Sequence, residues 1–265
     1  MKEIKLIAID LDETLLHDDL TISARAKKDI REVIARGITV TLATGRMYAA
    51  AIAYARELEL NVPLITNQGA MVKDVNGKLL HHQTLSLEIA QKVADLVRAY
   101  GYHLNVYVND ELFMENDSEE AQRYFAITKV LPKYVQSFDK LWAEPEKLGV
   151  LADDLLLRPL AREIKEKFGQ DLNITQALPE ILEITHKQAT KRNALEALAQ
   201  KMGFGLENVM AIGDALNDLE MIRDVGFGVA MENGNPALKE IADYITLSNN
   251  ADGVAKVLEK VILNS

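Results

Sequence analysis

The chain has 265 residues, 48% hydrophobic and 26% charged, which suits one large domain or two smaller ones around a buried core. It has no cysteine, which excludes disulfides and thiolate metal sites. Its formal net charge of −10 speaks against a nucleic-acid partner, which needs a basic face, but leaves open a small phosphate that senses local charge.

The first predicted element is the apolar run Leu6-Ile7-Ala8-Ile9, which reads as a strand buried on both faces. Asp10 and Asp12 follow it two residues apart, so their side chains point to the same side at the strand's carboxyl end. Like charges that close repel, and a divalent cation or a reacting phosphate would make the arrangement tolerable. Ser23 reads as a helix cap, with Gly37 as the stop. A β-branched strand over 38–43 leads to Thr44-Gly45-Arg46 and a helix over about 48–58. There a hydroxyl and backbone amides suit an anion. Val62 to Thr66 reads as a third strand and Asn76-Gly77 as a hairpin turn.

From Gln83 to Lys187 the pattern changes. Two amphipathic helices, through Ile89–Tyr100 and Leu160–Phe168, are expected. Strand-like runs at 104–108, 111–114, 154–157 and 181–184 complete an α+β insert with an antiparallel sheet. Tyr107, Asn109 and Phe113 lie on these strands and read first as packing residues. After Lys191 the alternation returns, with strands at 209–212, 228–231 and 244–246 and helices through Ala194–Met202 and Val254–Val261. The third strand end that carries polar site residues is Gly213-Asp214-Ala215-Leu216-Asn217-Asp218. The expected fold is therefore α/β: a doubly wound, mostly parallel Rossmann-like core (1–82 and 188–265) interrupted by an α+β cap (83–187). Polar residues at carboxyl ends of parallel strands should converge on one ligand site.

Taken singly, Asp12 and Asp218 read as caps and Lys191 as a solvated lysine. Their order changes that. Asp10-Leu11-Asp12-Glu13-Thr14-Leu15 resembles the first motif, DxDGT, of the haloacid dehalogenase superfamily. Thr44 matches the second motif, Lys191 the third and Gly213–Asp218 the fourth, GDxxND. Ala43-Thr44-Gly45-Arg46, Asn67-Gln68-Gly69-Ala70, Val229–Asn233 and Asp252–Ala255 resemble the Cof-type subgroup, whose cap is inserted after the third strand. The resemblance covers nearly the whole chain. Glu13 stands in place of the commonest glycine of the first motif, and Arg192 follows Lys191 where glycine is frequent. Lys187 is a rival for the third motif, and Ala194-Leu195 favours Lys191.

The resemblance implies an Mg²⁺-dependent phosphatase of small phosphomonoesters, such as sugar phosphates or phosphorylated cofactors. It implies Asp10 as nucleophile and Asp12 as general acid and base. Metal ligands would be Asp10, Asp12 through its backbone carbonyl, Asp214 and Asp218, the last directly or through water. Thr44, Gly45, Lys191 and Asn217 would hold the phosphoryl group, and Arg46 and Asn67 would touch substrate. A phosphomutase or phosphotransferase of the same superfamily and a non-catalytic phospho-ligand-binding module are the alternatives. No apolar run approaches the ~20 residues that span a bilayer, and no signal-peptide pattern opens the chain. A cytoplasmic protein without nucleic-acid or membrane partners, monomeric or weakly dimeric, is expected.

Overall fold

A computed structural model describes residues 3–264. In chain order the first elements are β1 (Leu6–Ile9), α1 (Ala24–Ala35), β2 (Thr39–Leu42), α2 (Tyr48–Glu57), β3 (Leu64–Thr66), β4 (Met71–Lys73) and β5 (Leu79–His82). Next come α3 (Leu87–Tyr100), β6 (His103–Val108), β7 (Glu111–Met114), α4 (Glu119–Thr128), β8 (Lys133–Tyr134), β9 (Lys147–Leu151), α5 (Asp154–Phe168), β10 (Leu172–Leu178) and β11 (Ile181–His186). The chain ends with α6 (Lys191–Lys201), β12 (Val209–Gly213), α7 (Leu219–Asp224), β13 (Phe227–Ala230), α8 (Pro236–Ile241), β14 (Tyr244–Ile245) and α9 (Gly253–Leu258).

The central sheet has the order β14-β13-β12-β1-β2, and every pairing in it is parallel. β1 alternates cleanly between two apolar layers, as a strand must. Ile7 and Ile9 pack with Val33, Leu42, Ile212 and Val257 on one face. Leu6 and Ala8 pack with Leu195, Leu198 and Ala211 on the other. Helices thus cover both faces, the condition under which an all-parallel sheet is stable. Ser23 Oγ accepts the backbone N–H of Ala26 and so caps α1, and Gly37 takes φ +85° just past its end.

A second sheet, β10-β11-β9-β6-β7-β8, lies within the chain between β5 and α6. It is antiparallel except at β7–β8. Helices α3 and α5 cover it through Val93, Val97, Leu157, Leu160 and Ile164. This is the expected cap, with one correction. Residues 154–157, expected as a strand, open α5. Leu155 and Leu156 face solvent, at 72% and 47% exposure, and only Leu157 turns inward. The run looks apolar, yet Leu157, Leu160 and Ile164 keep the helical period through it. Strands β9 and β10 go beyond the sequence reading. The third strand is β3, which touches the central sheet through one parallel bridge, Ala43 to Ile65. It otherwise forms a small antiparallel sheet with β4 and β5, turned at Gly77.

Candidate active site

Register sets the site. Ile9, the last residue of β1, pairs with Leu42 on one side and Ile212 on the other. The residues that follow, Asp10, Thr44 and Asp214, therefore leave the sheet at one level, at the carboxyl ends of three adjacent parallel strands. Oxygens of Asp10, Asp214 and Asp218 lie within 4.8 Å of one another, and all three residues are buried. Lys191, at the start of α6 and buried, reaches up from beneath. Its Nζ donates to Asp10 Oδ1 at 2.6 Å and Asp218 Oδ1 at 2.7 Å. Lys187, the rival, is exposed and donates to the Gly169 carbonyl instead.

The electrostatics are those of crowded acids. Burial pushes the Asp10 carboxyl well above its ordinary value; Lys191 opposes this, and Asp218, Asp214 and Asp12 add to it. Burial, then the Asp218 charge, raise Asp214 from 3.8 to about 7 against the Thr14 hydroxyl and Lys191. Burial disfavours the Lys191 charge, but Asp10 and Asp218 outweigh it and hold the ammonium above its ordinary range.

Hydrogen bonds sort the three acids. Asp218 is fully engaged: Oδ1 takes Lys191, and Oδ2 takes the backbone N–H of Asp214 and of Ala215. Gly213 permits this, because a Cβ there would lie 2.5 Å from the Asp218 carboxyl carbon. Asp214 Oδ1 accepts from the Thr14 hydroxyl at 2.8 Å. Asp10 and Asp214 each keep an oxygen without a hydrogen-bond partner among the described residues, and both line the cleft. A hard divalent cation fits this donor set: it wants anionic oxygens, and here acids sit closer than like charges tolerate alone.

The Asp12 carboxylate faces the cleft but turns from the other acids to Arg46, whose Nε donates to Oδ2 at 2.8 Å. Thr44 is buried, and its Oγ1 accepts the Arg46 backbone N–H. Asn217 lines the cleft and donates to Gln68 Oε1 at 2.9 Å. Asn67, expected at the substrate, is fully buried and is not on the cleft wall. Tyr107, Asn109 and Phe113 also stay off the wall, as packing residues should; Phe113 packs edge-on against Trp142. His186 lies outside it too, accepting the Gln188 backbone N–H at Nδ1.

Among the wall residues not expected at the site are Gln68 from the core and Tyr124, Thr128, Lys147 and Glu183 from the cap. Glu183 had a signal, as the one charge in Ile181-Leu182-Glu183-Ile184. Its side chain is nearly buried and accepts from Lys147 and from Gln68. Lys147 also donates to the Gly45 carbonyl at 2.7 Å and lies 4.5 Å from the Tyr107 ring centre. Gly45 leaves room for the Gln68–Glu183 contact, since a Cβ there would sit 2.3 Å from Gln68 Nε2.

The profile of the haloacid dehalogenase-like hydrolases matches residues 7–258. The chain belongs to that family. It is 34% identical to the 5-amino-6-(5-phospho-D-ribitylamino)uracil phosphatase YcsE of Bacillus subtilis, over 98% of this chain and 97% of that one. It is 30% identical to a second B. subtilis enzyme of the same name, YitU, over 96% of both chains. Among solved structures, a haloacid dehalogenase-like hydrolase from Bacteroides thetaiotaomicron superposes with a TM-score of 0.88 at 28% identity, covering 98% of this chain and 100% of that one. Phosphatases match this member of the family along its whole length, and it is a phosphoric monoester hydrolase. No helix among the described residues is long and apolar enough to cross a membrane.

Proposed function

We propose that the chain is an Mg²⁺-dependent phosphatase of small metabolite phosphomonoesters that works through a phosphoryl group carried on Asp10. The observation behind this reading is the Lys191 bridge at the strand ends: one buried ammonium touching Asp10 and Asp218 beside Asp214. Asp10 and Asp214 would hold the cation by their free oxygens, with the Asp12 backbone carbonyl as a further ligand and Asp218 bracing the loop. Held there by these residues, Mg²⁺ would supply positive charge against the phosphoryl oxygens.

In the first half-reaction an Asp10 oxygen attacks phosphorus, the bond to the ester oxygen breaks, and Asp12 gives that oxygen its proton. In the second, Asp12 takes a proton from water, the water oxygen attacks phosphorus, and the bond to Asp10 breaks, releasing phosphate. Lys191, Thr44, the Gly45 amide and Asn217 hold phosphoryl oxygens through the flattened transition state. An acid two residues after the nucleophile is what this cycle needs, and Asp12 on the cleft wall supplies it.

The substrate is small, because the cap overhangs the acids, with Tyr124, Lys147 and Glu183 lining the cleft opposite Asp10 and Asp214. The names of YcsE and YitU put a phosphorylated ribitylaminouracil first among the candidates, followed by sugar phosphates and other phosphorylated cofactors. The core at 1–82 and 188–265, the cap at 83–187 and a cytoplasmic location belong to the same reading.

The test is phosphate release from such a panel, with and without Mg²⁺, by the wild type and Asp10→Asn. Metal-dependent release that vanishes in the variant supports the proposal. Isomerised product without free phosphate points to a mutase, and no turnover of any compound to a binding module.

A further inference from the structure

Four side chains in series join the cap to the core along the cleft. Lys147 on β9 and Glu183 on β11 belong to the cap, Gln68 follows β3, and Asn217 lies in the loop that carries Asp214 and Asp218. Lys147 donates to Glu183 Oε1, Gln68 Nε2 donates to Glu183 Oε2, and Asn217 Nδ2 donates to Gln68 Oε1. Both Glu183 oxygens and both ends of the Gln68 amide are thus committed. A second strand of the same contact runs from Lys147 Nζ to the Gly45 carbonyl in the Thr44–Arg46 turn. An apolar seam flanks it, where Met47 and Ala50 of the core meet Tyr107, Leu112 and Leu151 of the cap.

A buried Lys–Glu pair adds little to stability over an apolar pair of the same size, because desolvation offsets the attraction. Its value lies in geometry. Lifting the cap from the core would separate Glu183 from Gln68 and Lys147 from Gly45.

We propose that Lys147 and Glu183 form a latch that reports cap closure to the catalytic loops. Lys147 and Glu183 are positioning residues. Closed, Glu183 fixes the Gln68 amide, which turns Asn217, while Lys147 fixes the Gly45 peptide in the anion turn. Open, Asn217 and Gly45 lose those restraints. The phosphoryl-binding groups are then fully restrained only with the cap seated on the core. This rests on the phosphatase reading for its effect on rate, but the latch itself is testable without turnover.

The chain has no cysteine, so two introduced ones report alone. Spin labels at Lys28→Cys on α1 and Glu166→Cys on α5, both exposed, measure the core-to-cap distance. Glu183→Gln keeps the shape but sets an amide nitrogen against a donor. It should broaden the distance distribution toward longer values and lower kcat at least tenfold, with KM changing less than threefold. The exchange Gln68→Glu with Glu183→Gln restores every hydrogen bond with the charge moved one residue along. It should return both the distribution and kcat to within threefold of the starting protein. A distribution unchanged by Glu183→Gln, or an exchange that recovers neither quantity, overturns the latch. A wild type that turns over nothing overturns the phosphatase reading alone, and the distances still decide the latch.

Discussion

The Arg46 guanidinium occupies both oxygens of Asp12, with Nε 2.8 Å from Oδ2 and 3.1 Å from Oδ1. Arg46 is nearly enclosed, its side chain 6% exposed against 34% for Asp12. The role proposed for Asp12 needs its oxygens free of Arg46, so an arriving phosphoryl group must draw Arg46 off. Asp12→Asn should therefore lower kcat by about 10²–10⁴-fold, the usual range for a lost general acid. Arg46→Ala should act mainly on KM, raising it at least tenfold. Steady-state kinetics on one released-phosphate assay decide both, and Asp12→Asn retaining a tenth of kcat would refute the assignment.

Asp10→Asn should abolish turnover while making the metal-free protein more stable. Burial and neighbouring acids disfavour the Asp10 charge, so a neutral amide removes repulsion. Each kcal/mol relieved is worth about 2–4 °C in a chain of this size. Thermal melting in a chelator at pH 8 checks the sign; a lower Tm for the variant contradicts it.

Asp214 sets a pH dependence. Its carboxyl is raised from 3.8 to about 7, so the folded state keeps a proton that the unfolded state gives up above 3.8. Folded protein then binds more protons than unfolded protein, and stability falls as pH rises through this window. Above about 7 the charge is present in both states and the full cost remains. Mg²⁺ requires the ionised form, so its affinity should climb about tenfold per pH unit toward 7 and level off beyond it. Titration calorimetry at pH 5.5, 6.5 and 8 measures this. Equal affinities at 5.5 and 8 would separate Asp214 from the metal.

Lys191→Met should cost about 3–5 kcal/mol in urea unfolding without metal, the range for a buried charge stripped of its partner. Lys191 is buried, and among the described residues its two acids share no other ammonium. Added Mg²⁺ should recover part of that loss, but not activity. A change below 1 kcal/mol would show that the acids protonate freely.

The parallel core was legible because its signals are local: apolar runs ending in Asp10, Thr44 and Asp214, with Ser23 and Gly37 marking α1. Asp10, Asp214 and Lys191 were legible through motif order. The start of α5 was not, because three leucines in a row look apolar whichever way each one faces. Lys147 and Glu183 were hidden for a different reason. Each looks like a solvated charge in an antiparallel strand, and only the register of β9 against β11 and β6, with the cap seated on Gly45, buries them.

Thr14 bonds to Asp214 across 200 residues, and β12, which carries Asp214, lies beside β1 in mid-sheet. Strand β1 is therefore made early and left half-paired. At about 5–20 residues per second, synthesis leaves that edge waiting about 10–40 s. In that interval β1 has only β2 to pair with and its other edge is bare, while the cap between them and β12 can form its own sheet. The order of translation keeps Asp214 and Asp218 from joining Asp10 until the last fifth of the chain begins to emerge. Destabilising the late strands should thus act on yield and aggregation during synthesis before it shows in the finished enzyme.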